Sequence, residues 1–236
     1  MIIGTGEPNP LLSRAFFGRT WHLATALIGA VGLVLQAVAL VTGPKYAANP
    51  AHAWWNFGSF FTIESNVLVA CVSLTLAADS LRRGGPVWAV LRQMSLVNIT
   101  VTMIIQFFLL RDLPEITSLT GPGLYADRIL HYVVPVMVIA GYLVFGPRPV
   151  FTWRSTFLVL VFPAAWCVYT VLRGAATGWY PYPFIDVARL GPAVILNCAG
   201  VGAVLLVMAA AYYLADRALP GAPERQPDRQ PEETRA

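Results

Sequence analysis

The sequence predicts an all-α, polytopic integral membrane protein, a bundle of six transmembrane helices with both termini cytoplasmic. Three observations predict it. Of 236 residues, 57% are hydrophobic and 12% charged, with a mean hydropathy of +0.62, far from the balance of a soluble domain. The apolar residues fall into six runs, each close to the roughly 20 residues that a helix needs to cross a hydrocarbon core about 30 Å thick. The basic residues gather at the borders of these runs, with a bias to one side.

Helices are expected because a lipid-exposed segment must satisfy its backbone hydrogen bonds internally. Residues 1–18 read as a cytoplasmic tail; Met1 to Ser13 carries no basic residue and no cleavage pattern, so the first span is expected to stay in the mature protein. The transmembrane domain covers 19–217. Span one covers about 21–42, and Gly43, Pro44, Asn49 and Pro50 break the chain after it. Span two covers about 57–78 and is closed by Asp79, Arg82 and Arg83. Spans three, four and five cover about 88–110, 129–146 and 155–172, each bordered by charge. Span six, about 192–215, opens with Gly191-Pro192, since proline is tolerated in a first helical turn, and ends at Asp216-Arg217. Residues 218–236, rich in Pro, Gln and charge, read as a disordered cytoplasmic tail.

Alternating loops place five of the sixteen Lys and Arg residues (Lys45, Arg111, Arg128, Arg173 and Arg189) on one side and the other eleven on the side of the termini. That excess puts both termini inside and makes the chain a multi-pass protein of the cell membrane. Setting aside Arg225, Arg229 and Arg235 leaves the bias at eight to five. The net charge of +4 is therefore a topology signal, and no nucleic-acid partner is expected. Cys71, Cys167 and Cys198 lie in apolar runs at an odd count and read as free thiols. No metal site or cofactor is expected: the cysteines lack ligand spacing, and His22, His52 and His131 offer no pair at matching depth for haem.

Polar side chains within spans are costly, so their positions carry information. Span two enters from outside through Phe61-Thr62-Ile63-Glu64-Ser65-Asn66. At about 100° per residue, Thr62, Ser65, Asn66 and Ser73 share a stripe, with Glu64 roughly opposite. Such a stripe suits either interhelical hydrogen bonds or a polar pocket. His131 lies about one turn into span four, and Pro135 should loosen the helix there. Asp127 precedes His131 by four residues, a spacing that matches the base and orienter of a hydrolytic triad as well as an interfacial histidine beside a solvated acid. The loop after Arg173 is rich in aromatics, which fit an interfacial belt, while its tyrosine hydroxyls, Tyr180 among them, with Arg173 and Asp186 could instead roof a polar cavity. Together these residues suggest an outer-leaflet pocket lined by Thr62, His131, Tyr180 and Asp186, with Glu64 or Asp186 pairing Arg173. As chemistry, a hydroxyl and an imidazole at equal depth suggest acyl transfer. Asn98, Thr102 and Gln106 of span three are expected to make structural hydrogen bonds.

In Phe61-Thr62-Ile63, in His131 followed by Val133-Val134-Pro135, and in the run from Thr177 to Asp186, the chain resembles the androgen-induced-gene family of multispanning membrane proteins. Ser65 stands where the family pattern often has an acidic residue. The resemblance implies a hydrolase of fatty acyl esters, with Thr62 as nucleophile and His131 as base, membrane lipids around it, a lipid ester as substrate and no cofactor. A second expectation is a non-enzymatic carrier or receptor for a hydrophobic small molecule, with Glu64 and His131 on its binding or proton path. A third is a scaffold whose polar residues pack helices.

Overall fold

The computed structural model describes residues 10–220. Among these residues the fold is helical, and six helices are long and apolar enough to cross a membrane. Residues 1–9 of the expected N-terminal tail, and 221–236 of the expected C-terminal one, lie outside the described residues.

The first helix, α1 (Pro10–Val41), begins well before the expected span, so residues 10–18 are helix rather than tail. Its 32 residues make about 48 Å of helix, more than a hydrocarbon core requires. The segment after it is built of two short helices, α2 (Pro44–Ala48) and α3 (Pro50–Gly58), each opened by a proline in its first turn. Asn49 caps α3 by accepting a hydrogen bond from the His52 amide at 3.1 Å. Helix α4 (Phe61–Ala78) therefore starts at Phe61, and Phe57 belongs to α3. Hydropathy had merged the two because aromatic residues continue across the break at Ser59.

Helix α5 (Pro86–Ile105) is the most enclosed and continues as a π-helical segment, Gln106–Leu110. It packs against α4 on one side and carries the main core on the other, where Leu96, Val97 and Val101 meet Tyr142, Val159 and Leu205. After α6 (Pro114–Thr117), the fourth span runs through α7 (Gly121–Arg128), a second π segment (Ile129–Val133) and α8 (Val134–Phe145). It begins eight residues before the expected border at 129, because Gly121-Pro122 starts the helix and Asp127 is buried inside it. His131 thus lies about three turns into this span rather than one.

The fifth span is interrupted: α9 (Trp153–Leu158), capped reciprocally by Thr152 and Ser155, is followed by α10 (Val161–Thr177). The chain then passes through α11 (Val187–Leu190) into α12 (Ala193–Ala218). At the end of the bundle near the termini, Asp216 accepts from the Val150 and Phe151 amides at 2.6 and 2.7 Å, and Arg148 donates to the Tyr142 carbonyl at 2.7 Å. These charge-assisted bonds tie α12 and α8 to the loop before α9. Phe108, Leu172, Ile195 and Leu196 are exposed on the outside of the bundle, as expected of a surface that faces hydrocarbon.

Candidate functional site

The site lies at the end of the bundle away from the termini, where α4, the two π segments and the loop after α10 converge. Thr62 is the second residue of α4, too early to return its hydroxyl to a carbonyl of its own helix. Elsewhere Thr25, Thr75 and Thr177 make that local bond, at 2.9 Å each. The Thr62 hydroxyl instead faces His131 Nε2 at 3.1 Å.

The imidazole is aimed by an irregular backbone. Pro135 has no amide to give to the preceding turn, and the helix responds with the π segment Ile129–Val133, closed by the Val134 amide on the Ile129 carbonyl. The Leu130 carbonyl, which a residue other than proline at 135 would bond in that register, accepts from Asn66 Nδ2 at 3.4 Å. The same Asn66 amide donates to the Thr62 carbonyl at 2.8 Å, so one buried side chain ties the start of α4 to the π segment. Gly32 of α1 allows the segment to pack closely: a Cβ there would lie 2.7 Å from Ile129 Cγ2 and from Leu130 Cδ2.

His131 Nδ1 is 3.0 Å from Asp127 Oδ1 and 3.1 Å from the Asp127 carbonyl. Both partners only accept, so Nδ1 carries the proton and Nε2 is free to accept from Thr62. Gln106 Nε2 donates to Asp127 Oδ1 at 2.8 Å. The result is a directed chain from Thr62 through His131 to Asp127, steadied by Gln106, and all but His131 are buried. That geometry can take a proton from the threonine hydroxyl and stabilise the imidazolium that forms.

Tyr182 completes the surroundings of Thr62. Its hydroxyl is 3.3 Å from Thr62 Oγ1 and accepts from the Thr62 amide at 3.4 Å. Burial pushes the Tyr182 phenol above its ordinary pKa, outweighing the opposite pull of the Thr62 hydrogen bonds, so it stays protonated.

Two cavities meet at these residues. One, about 400 Å³, is apolar and runs between α5, α10 and α12, lined by Val101, Ala164, Cys167, Val201, Gly202 and Leu205 among others. The second, about 460 Å³, lies toward the loops and carries Lys45, Glu115, Asp186 and Arg189. Thr62, His131, Tyr182 and Leu110 line both. The Thr62–His131 pair therefore lies at the boundary between an apolar chamber and a polar vestibule.

No family model matches the chain, and no curated protein or solved structure matches it either.

The structure brings Thr62, His131 and Asp127 together and puts Tyr180 and Asp186 in the vestibule wall. It does not pair Arg173 with Glu64 or Asp186. The Arg173 guanidinium donates to Asn56 Oδ1 and lies over the rings of Trp55 and Trp179, 4.7 and 4.6 Å from their centroids. Asp186 is occupied as the cap of α11, accepting from the Arg189 amide at 3.1 Å. Glu64 and Ser65 line neither cavity; Glu64 is half-buried on the far face of α4, and Ser65 is fully buried. Tyr180 packs against Gly174, where a Cβ would lie 2.0 Å from its ring, and Tyr182 is the tyrosine that reaches Thr62.

In the sequence Gln106 carries only a structural expectation, and Tyr182 is not singled out from the other aromatics of its loop. Of the three polar residues of span three, the Asn98 amide and the Thr102 hydroxyl are buried without hydrogen-bond partners; Thr102 lines the apolar chamber, and Gln106 is the one that bonds Asp127. Matching the depth of Gln106 in span three to that of Asp127 in span four was the available signal. For Tyr182 the signal was the run from Thr177 to Asp186, but a loop lacks the periodicity that would tell Tyr182 from Tyr180. Among the described residues, no group of three His, Cys, Asp or Glu side chains could hold a metal ion. Cys167 and Cys198 are free thiols, with their sulfurs 3.3 Å apart in the apolar chamber wall.

Proposed function

We propose that this protein is a lipid-ester hydrolase of the cell membrane, multi-pass with both termini cytoplasmic, working near the outer leaflet. Thr62 is the nucleophile, His131 the general base and then acid, and Asp127 the group that orients the imidazole. The single observation that carries this reading is the Thr62–His131–Asp127 chain at the meeting of an apolar and a polar cavity. A fatty acyl ester has that same division: the acyl chain suits the apolar chamber, the alcohol portion suits the vestibule, and the ester carbonyl falls at Thr62.

The resemblance to the androgen-induced-gene family assigns nucleophile and base to the same two residues. A carrier with Glu64 on a proton path fits less well, because Glu64 borders neither cavity. The threonine methyl hinders attack, so turnover should be slow beside that of serine hydrolases.

Purified protein in detergent should release free fatty acid from long-chain acyl esters. Thr62→Ala and His131→Ala should each lower kcat by about 10³-fold or more while leaving the protein monodisperse. Absent activity in the wild type, or activity that survives both substitutions, rejects the reading.

A further inference from the structure

A nucleophile and a base do not by themselves stabilise the negative charge that develops on an ester carbonyl oxygen, and the polar groups at the cavity junction are few. Thr62 and His131 are engaged with each other, and Leu110 is aliphatic, which leaves the Tyr182 hydroxyl. We propose that Tyr182 is a catalytic residue of this site, its O–H donating to the ester carbonyl oxygen as that oxygen becomes an oxyanion. The assignment rests on the hydrolase reading and deepens it.

The hydrogen-bond directions support it. His131 Nδ1 donates to Asp127, so Nε2 accepts from the Thr62 hydroxyl, and Thr62 Oγ1 can then only accept from Tyr182. The Tyr182 oxygen already accepts from the Thr62 amide, which leaves its proton aimed at the reacting centre. The nearby α4 amides are not available in its place: those of Ile63 and Glu64 donate to the Phe60 carbonyl at 3.0 and 3.2 Å.

The phenol is also held in place. Its ring stacks on Phe184, with centroids 5.4 Å apart and planes at 7°, and meets Phe60 and Trp166 at 5.8 and 5.9 Å. A donor fixed by three aromatic contacts needs little reorganisation when charge appears, which is the condition for a large electrostatic contribution. Its raised pKa keeps the proton on the phenol at working pH.

In the reaction, Thr62 Oγ1 bonds to the carbonyl carbon as its proton passes to His131 Nε2. The carbonyl π pair moves onto oxygen, where the Tyr182 O–H meets it. That pair then re-forms the C=O bond as the bond to the alcohol oxygen breaks, and the departing alcohol takes the proton from His131. Water repeats the two steps on the acyl-threonine, releasing the fatty acid and restoring Thr62.

The test compares full-length wild type, Tyr182→Phe and Thr62→Ala in detergent. It measures kcat and KM on p-nitrophenyl decanoate, and affinity for a decyl trifluoromethyl ketone and for the corresponding alcohol. The ketone forms a hemiketal oxyanion with the nucleophile; the alcohol fills the chamber without reacting. Tyr182→Phe keeps the ring contacts and should lower kcat by about 10²- to 10³-fold with KM within about twofold. Affinity for the ketone should fall by a similar factor while affinity for the alcohol is unchanged. A kcat within about threefold of wild type, or ketone and alcohol affinities that fall together, overturns the role of Tyr182 and leaves the hydrolase reading in place. A wild type without Thr62-dependent turnover overturns both.

Discussion

The Thr62 hydroxyl lies 3.1 Å from His131 Nε2, although the two residues are 69 positions apart. The contact exists because Thr62 begins a helix and so has no local partner for its hydroxyl, while the π segment before Pro135 turns His131 toward it. Asn66 bridges the two backbones, and Asp127 with Gln106 fixes the ring. Each support makes a separate expectation.

Asp127→Asn should lower kcat and leave KM nearly unchanged. An amide can offer its NH₂ to Nδ1, which moves the imidazole proton to Nε2, where it cannot accept from Thr62. A complete switch to the wrong tautomer costs about 10⁴-fold in a hydrolytic triad. Here the Asp127 carbonyl still accepts from Nδ1 at 3.1 Å, so a loss nearer 10²- to 10³-fold is expected. Steady-state kinetics on a decanoyl ester measure it, and a variant within fivefold of wild type would remove Asp127 from the mechanism.

The apolar chamber should set acyl-chain length. Gly202 lines it, and a Cβ at that position meets open space. Gly202→Phe should fill part of the chamber and lower kcat/KM for hexadecanoyl esters by tenfold or more, with butanoyl esters hydrolysed as before. One missing or blocked apolar contact is worth about 1–3 kcal/mol of discrimination. Equal losses on short and long esters would mean that the chain binds elsewhere.

Gly32→Ala should destabilise the protein and slow it. The added methyl would sit 2.7 Å from Ile129 Cγ2 and Leu130 Cδ2, and overpacking of this kind costs about 1–3 kcal/mol. Because the displaced residues carry His131, kcat should fall along with the melting temperature in detergent. Gly200→Ala, where nothing lies within 4 Å, is the control and should change neither. Parallel behaviour of the two variants would contradict the close packing of α1 on the π segment.

Single cysteines at Lys45, Glu115 and Arg189, in a background with Cys71, Cys167 and Cys198 replaced, should react with a membrane-impermeant maleimide added to intact cells. Those at Arg83 and Pro149 should react only after the membrane is opened. All five positions are exposed at one end of the bundle or the other. The reverse pattern would invert the orientation inferred from charge.

Much of the scaffold was legible because it depends on averages over long windows. A run of about 20 apolar residues reads as a span whatever its side chains do, and the six runs correspond to six long helices. Borders were legible where a breaker or a charged residue coincides with the helix end, as at Gly191-Pro192 before Ala193, at Asp79 after Ala78 and at Arg111 after Leu110. Asp127 and Arg128 resembled a border, yet the helix starts at Gly121, since Gln106 and His131 take up the carboxylate inside the bundle. The stripe of Thr62, Ser65, Asn66 and Ser73 was expected to serve interhelical hydrogen bonds or a polar pocket, and all four side chains are buried. The use of each was not legible, for Thr62 meets His131, Asn66 bonds backbone carbonyls and Ser65 reaches neither cavity.

By itself the sequence determined an all-helical chain with six apolar spans, together with the candidate pair Thr62 and His131 and the i, i+4 spacing that brings Asp127 to the imidazole. These are local properties, set by hydropathy and by helical geometry. Tertiary structure decided that Tyr182 and not Tyr180 reaches Thr62, that Gln106 completes the chain, that Arg173 rests on tryptophans, and that two cavities meet at the hydroxyl. Each of those depends on which faces of distant helices and loops are pressed together, and that follows from the packing of the whole bundle rather than from any segment read alone.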